Sequence, residues 1–164
     1  KGSQAYSKQE IFEYMMYDPM TTTAKPESGV KIFNDVCGKC HKFGDLGKDY
    51  GPDLTTIANR FNRRDMLEAV FYPSKTISDQ YGSWRIETAD DVYSAMIMSE
   101  DAEKIPVLIP DLDRPVDIPR SRIIDLRESD VSIMPDGLID EYDMRSVAGL
   151  FRLLEKGMPE AGSD

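Results

Sequence analysis

Gly29-Val30-Lys31-Ile32-Phe33-Asn34-Asp35-Val36-Cys37-Gly38-Lys39-Cys40-His41 is the stretch on which the reading of this chain turns. The chain has two cysteines and one histidine, and all three fall in the last five positions of this stretch. Ile32, Phe33 and Val36 recur at helical spacing, so a helix is expected to start near Ser28 and run into the turn at 37–41. Thiols three positions apart lie on one side of a helical turn.

Such a pair is placed to form thioethers with the two vinyl groups on one edge of a porphyrin. The histidine that follows then falls under the ring and offers its imidazole to the iron. The pattern reads as attachment of one covalent c-type haem through Cys37 and Cys40, with His41 as proximal ligand. Other readings of the same residues stand beside it. Structural zinc takes four Cys or His ligands, and this chain has three, too close together to close a tetrahedron. A thioredoxin-like dithiol also uses Cys-x-x-Cys, but the flanking residues do not read as the end of a strand in a βαβ unit, and His41 is then without a role. A disulfide across so short a loop is strained and removes little chain entropy.

At 164 residues the chain is one domain, or one domain with a sizeable insertion. Hydrophobic residues make up 40%, enough for a core of ordinary size. No run of eighteen apolar residues occurs, so no membrane insertion is expected. The chain opens at Lys1 without a charged-then-apolar leader. A mature or excised piece is the simplest expectation, with residues 1–5 as linker. Acidic residues number 30 against 20 basic, for a net charge of −10. That sign repels phosphate backbones and anionic lipid headgroups, so neither nucleic acid nor a membrane surface is an expected partner. A basic redox partner, or a neutral docking patch at an exposed haem edge, suits it better, and solubility alone explains the acidity equally well.

Ile11, Phe12, Met15 and Met16 fit a helix over 7–17, stopped by Asp18-Pro19. The Thr- and Pro-rich residues 19–27 read as a connector. Glycines and Pro52 mark 42–53 as loop, and a single turn is expected near 55–59. Asn62 caps a helix over 63–72 that buries Met66, Leu67, Val70 and Phe71 and ends at Pro73. From 82 to 128 the period changes to two. Residues 84–88, 92–98, 104–109, 116–118 and 122–126 read as short strands broken by Pro and Asp, a small antiparallel β subdomain. Asp143 caps a last helix over 144–156, with Met144, Val147, Leu150, Phe151 and Leu154 as its apolar stripe and Gly157 as its stop.

The opening stretch, 29–41, resembles the first helix and haem-binding turn of class I cytochromes c. Gly51-Pro52-Asp53-Leu54 resembles the Gly-Pro-x-Leu loop of that family. With 60–68, 72–81 and Ser132-Ile133-Met134-Pro135-Asp136-Gly137-Leu138-Ile139-Asp140, the ordered set is similar to a haem-binding domain common in planctomycetes and verrucomicrobia. There the domain often ends large extracytoplasmic proteins that carry propellers or helical repeats. The likeness runs from about residue 28 to about residue 156. It implies a mainly α cytochrome c fold, here with an inserted small antiparallel β subdomain. The domain organisation is then an N-terminal helix and connector at 1–27, a haem-binding core at 28–81 and 129–158, and an inserted β subdomain at 82–128. The last helix is expected to cross the one that ends at the haem turn, with Ile32, Phe33 and Val36 facing the porphyrin and that last helix.

With no second histidine, the remaining strong candidate for the sixth ligand is a methionine thioether. Most of the nine methionines read as core filler. Met134 differs, because Pro135 stiffens its loop and Gly137 lets the chain turn, and the resemblance places the sulfur ligand there. The resemblance also implies that the Pro52 carbonyl accepts the second N–H of His41 and that Arg60 pairs with a haem propionate. Tyr81 and Trp84 are candidate propionate donors.

The expected function is single-electron transfer by a His/Met-ligated haem rather than enzymatic catalysis. The electrons come from, or go to, a redox partner protein or a fused dehydrogenase. The alternative is a haem domain with a labile sixth site, acting in gas binding or peroxide chemistry. A third possibility makes the β insertion a docking module and the haem mainly structural. Haem attachment to this motif implies a periplasmic or extracytoplasmic bacterial location.

Overall fold

The computed structural model describes residues 6–17, 19–112 and 114–160. The linker reading of 1–5, the Asp18 part of the helix stop and the side chain of Met20 lie outside the described residues. The chain divides into two units, Lys1–Tyr72 with Gly137–Asp164, and Pro73–Asp136.

The first unit is helical. It contains α1 (Lys8–Tyr17), α2 (Pro19–Thr23), α3 (Glu27–Asp35), α4 (Arg63–Phe71) and α5 (Met144–Lys156). Local chemistry fixes several of these ends. Asn62 caps α4 in a reciprocal box with Asp65, and Asp143 caps α5 by accepting the Ser146 N–H at 2.9 Å. Gly157 ends α5 at φ +86°, a conformation that costs a residue with a Cβ. Ile32 and Phe33 of α3 and Val147, Leu150, Phe151 and Leu154 of α5 are buried in one core with Phe12, Leu67 and Phe71. α3 and α5 pack with their backbones nearly touching, an approach that the resemblance had implied. A Cβ on Gly29 would fall on the backbone of Leu150, and one on Gly149 would lie 2.9 Å from the Gly29 nitrogen. α2 is a short helix where a connector was expected. Its Thr21 is buried and receives a 2.7 Å hydrogen bond from Arg63, which also forks onto Glu155 of α5 at 2.6 and 3.0 Å.

After α3 come a 3-10 turn (Cys37–Lys39) and a two-residue ribbon, β1 (Lys42–Phe43) with β2 (Leu46–Gly47), in a segment expected to be loop. Gly44 at φ +56° makes the reversal possible, and Phe43 anchors it by packing on Phe33 with ring centroids 5.5 Å apart.

The second unit is a five-stranded antiparallel sheet of β3 (Ser83–Thr88), β4 (Val92–Ile97), β5 (Lys104–Leu108), β6 (Val116–Pro119) and β7 (Ile123–Ser129), in the order β6-β5-β4-β3-β7. β6 and β7 are therefore its two edges, yet only the turn Arg120–Arg122 joins them. In a flat sheet, edges four spacings apart are separated by about 19 Å. The four-residue step from Pro119 to Ile123 spans at most about 14 Å. The sheet must curl. The curl explains how Ile86, Ala95, Ile105 and Val107 are fully buried in a unit whose described residues hold no α-helix. A register shift between Glu87 and Thr88, opposite β7, adds local twist.

The expected fold class is thereby corrected. A mainly α cytochrome c fold with an inserted small antiparallel β subdomain does not describe this chain, which is a mixed α/β protein. The five strands form a complete sheet around their own apolar core, and a second, two-stranded sheet follows α3. Alternating patterns over five runs were enough to build a unit rather than an appendage. Among the described residues no helix is long and apolar enough to cross a membrane.

Candidate functional site

The site is built on the turn that follows α3. Val36 leaves the helix with its N–H on the Ile32 carbonyl at 2.9 Å, and the backbone tightens into the 3-10 turn. The Cys37 carbonyl then accepts two N–H groups, from Cys40 at 3.1 Å and from His41 at 2.8 Å. Both cysteines are free thiols and half-buried. Burial pushes the Cys37 thiol up to about 12. Burial also raises that of Cys40, against a smaller downward pull from Lys48 and Lys39. Both are protonated at neutral pH, the opposite of the activated thiolate that thiol exchange requires.

His41 is held by the loop that comes back across it. Its Nδ1 lies 2.7 Å from the Pro52 carbonyl oxygen. A carbonyl can only accept, so Nδ1 carries the proton and donates it, and Nε2 keeps its lone pair. Burial holds the imidazole below the usual histidine range, although the Pro52 bond pulls the other way, and the ring is neutral at neutral pH. The Cys40 carbonyl accepts the N–H groups of Tyr50 and Gly51 at 2.9 and 2.7 Å, and Lys48 donates to the Gly38 carbonyl at 3.1 Å. These bonds tie residues 48–52 to the turn.

Two glycines make that approach possible. A Cβ on Gly51 would stand 2.9 Å from Cε1 and 3.0 Å from Nδ1 of His41, so the bare backbone lies against the ring. Gly47, at φ +81°, packs so close that a Cβ would fall on the His41 carbonyl oxygen. Neither contact was inferred from the sequence. The available signal was the glycine spacing after His41, read there only as loop.

The helical unit thus brings together Cys37, Cys40, His41 and Pro52. Arg60 lies in the same unit and is exposed. The Asp53 carboxyl is held below the usual range chiefly by hydrogen bonds from Thr55, with smaller help from the charges of Lys42 and Arg60. Tyr81, Trp84 and Met134 belong to the sheet unit. Tyr81 ends the 3-10 turn Asp79–Tyr81 and is half-buried, while Trp84 packs against the sheet core. Met134 is half-buried in a pinned loop. Its N–H donates to Ser132 Oγ at 3.1 Å, and the Ser132 N–H donates to Ser74 Oγ at 3.0 Å. Met15, Met66 and Met96 are buried filler, whereas Met98 and Met158 are exposed.

The donor set fits a covalently held haem. Protonated thiols add across vinyl groups, and a neutral imidazole whose other N–H is anchored on a carbonyl is the form that ligates iron. Among the described residues, no group of three or more His, Cys, Asp and Glu side chains is gathered as it would be around a bare metal ion. No protein-family model matches the chain, and no curated protein matches it either.

Proposed function

We propose that the helical unit carries one c-type haem, joined by thioethers to Cys37 and Cys40 with His41 as an axial ligand, and that the protein passes single electrons. The observation that carries this reading is the 2.7 Å bond from His41 Nδ1 to the Pro52 carbonyl, one residue beyond two free thiols in Cys-x-x-Cys spacing. It presents Nε2 unprotonated and fixes the plane of the ring. Bound haem supplies the one-electron chemistry. Cys37 and Cys40 hold it in place. His41, oriented by Pro52 and backed by Gly51, would hold the iron through Nε2 with its ring already fixed in place.

The sequence supports Met134 as the second axial ligand, and Arg60, Tyr81 and Trp84 as partners of the propionates. His41 and Met134 would be the residues that hold the iron, and the bound haem would then supply electron transfer with a redox partner protein or a fused dehydrogenase rather than catalysis. Maturation of this motif in bacteria places the protein outside the cytoplasmic membrane. The likeness of its motifs to class I cytochromes c and to the planctomycete and verrucomicrobial haem domain supports the same reading.

The test is the optical spectrum of the matured chain. The oxidised protein is expected to show a methionine-to-iron charge-transfer band at the red end, lost in Met134→Ala while the haem stays attached. An unchanged band in Met134→Ala removes Met134 as a ligand. Rapid carbon monoxide binding by the unmodified ferrous protein at neutral pH removes the filled sixth site.

A further inference from the structure

We propose that a groove in the helical unit, away from the 37–41 turn, binds a small amphipathic anion, with its apolar body against Ala24, Met144 and Ala148 and its charge between Lys25 and Arg145. The groove measures about 300 Å³, and Tyr14 and Ser28 also line it. That is the lower end of the range for ligand clefts. Ala24 and Ala148 leave the space through their small side chains, and Met144 and Tyr14 add adaptable apolar surface.

The charges decide the class of ligand. Lys25 and Arg145 are both exposed, and neither has an ion pair among the described residues. The chain has 30 acidic residues for 20 basic ones, and Arg63, Lys104, Arg120 and Arg122 each pair with a carboxylate. The carboxylate nearest in sequence to Arg145, that of Asp143, is committed to the α5 cap, accepting the Ser146 N–H and hydroxyl at 2.9 Å each. Arg145 also stands in the first turn of α5, where a cation opposes the helix dipole. Helix stability therefore does not account for an arginine there. A monocarboxylate with an aliphatic chain of modest length answers both features: its head accepts a forked pair of hydrogen bonds from Arg145, and its chain covers the alanines. The groove shares no residue with the haem-attachment turn, so the inference stands or falls apart from the haem reading.

Calorimetric titration of the full chain with octanoate, octanol and octylammonium tests it. Saturable octanoate binding is expected, with octanol weaker by about tenfold for the lost charged contact and octylammonium not bound. Arg145→Glu and Lys25→Glu are each expected to weaken octanoate by about tenfold or more, while the absorbance spectrum stays unchanged and the thermal midpoint does not fall, since a carboxylate in the first turn of α5 suits the helix dipole better than the arginine does. Three results each overturn the proposal: no saturable heat with octanoate, octanol binding as tightly as octanoate, or octanoate binding that survives both charge reversals.

Discussion

His41 shows how three ordinary residues condition one imidazole. Pro52 contributes only a carbonyl, Gly51 contributes only the absence of a side chain, and the Cys40 carbonyl holds the 50–51 backbone in place. Together they select the tautomer and confine the ring. Gly51→Ala puts a methyl group within 3.0 Å of that ring, so either the imidazole or the loop must shift. Overpacking of this kind costs roughly 1–3 kcal/mol. Urea unfolding is expected to register that loss, and in the haem-loaded chain the reduction potential should move with the displaced ligand. A variant with the parent's stability and potential would mean that Gly51 does not constrain the ring.

α3 and α5 meet at Gly29 and Gly149, and this crossing sets the base from which the 37–41 turn projects. A methyl group on Gly29 would meet the backbone of Leu150, which cannot swing away as a side chain can. Gly29→Ala is therefore expected to lower unfolding free energy by roughly 3 kcal/mol, measured by thermal or urea denaturation. A loss below about 0.5 kcal/mol, the ordinary surface value, would contradict so close a crossing. The α5 cap gives a pH-dependent counterpart. Asp143 is held below its ordinary 3.8 chiefly by the Ser146 N–H. A depressed folded-state value means that the carboxylate stabilises the fold above the ordinary pKa and loses that effect as pH falls through the lower one. Asp143→Ala should cost about 1 kcal/mol at neutral pH, and the gap between parent and variant should close on acidification below about pH 4. A gap that stays constant down to the acid transition would show that the side-chain charge plays no part.

What could be read in the sequence follows from how local each determinant is. The caps of α4 and α5 and the stop at Gly157 involve neighbours within a few residues, and each helix lies where its signals put it. The strands were legible as runs, because alternation is local. Their order β6-β5-β4-β3-β7, and the curl it demands, depend on pairing between distant segments such as Ile86 with Leu126, which no single run encodes. α2 was hidden because its Pro and three Thr argue against helix; Thr21, taken up by Arg63, stabilises it from outside. At the site, the clustering of Cys37, Cys40 and His41 was plain in the sequence, and the resemblance pointed to the bond between His41 and the Pro52 carbonyl. The contacts of Gly47 and Gly51 were not, since a glycine in sequence does not say which atom it makes room for.

The described residues form one apolar core in the helical unit and one within the curled sheet, and the chain's acidity is unevenly divided between the two units. Residues 73–136 hold 14 acidic and 7 basic side chains, so most of the net −10 belongs to the sheet unit. A field of that sign attracts cationic groups and weakens with salt. Cys37, Cys40 and His41, on which the proposed haem attachment rests, all lie in the helical unit. The most direct test of the account is the intact mass of the chain, produced in a bacterial host that matures c-type cytochromes and denatured before measurement so that only covalent adducts remain. The account predicts the chain plus one haem, with the adduct lost when Cys37 and Cys40 are both replaced by serine. A colourless chain at its bare polypeptide mass would contradict it.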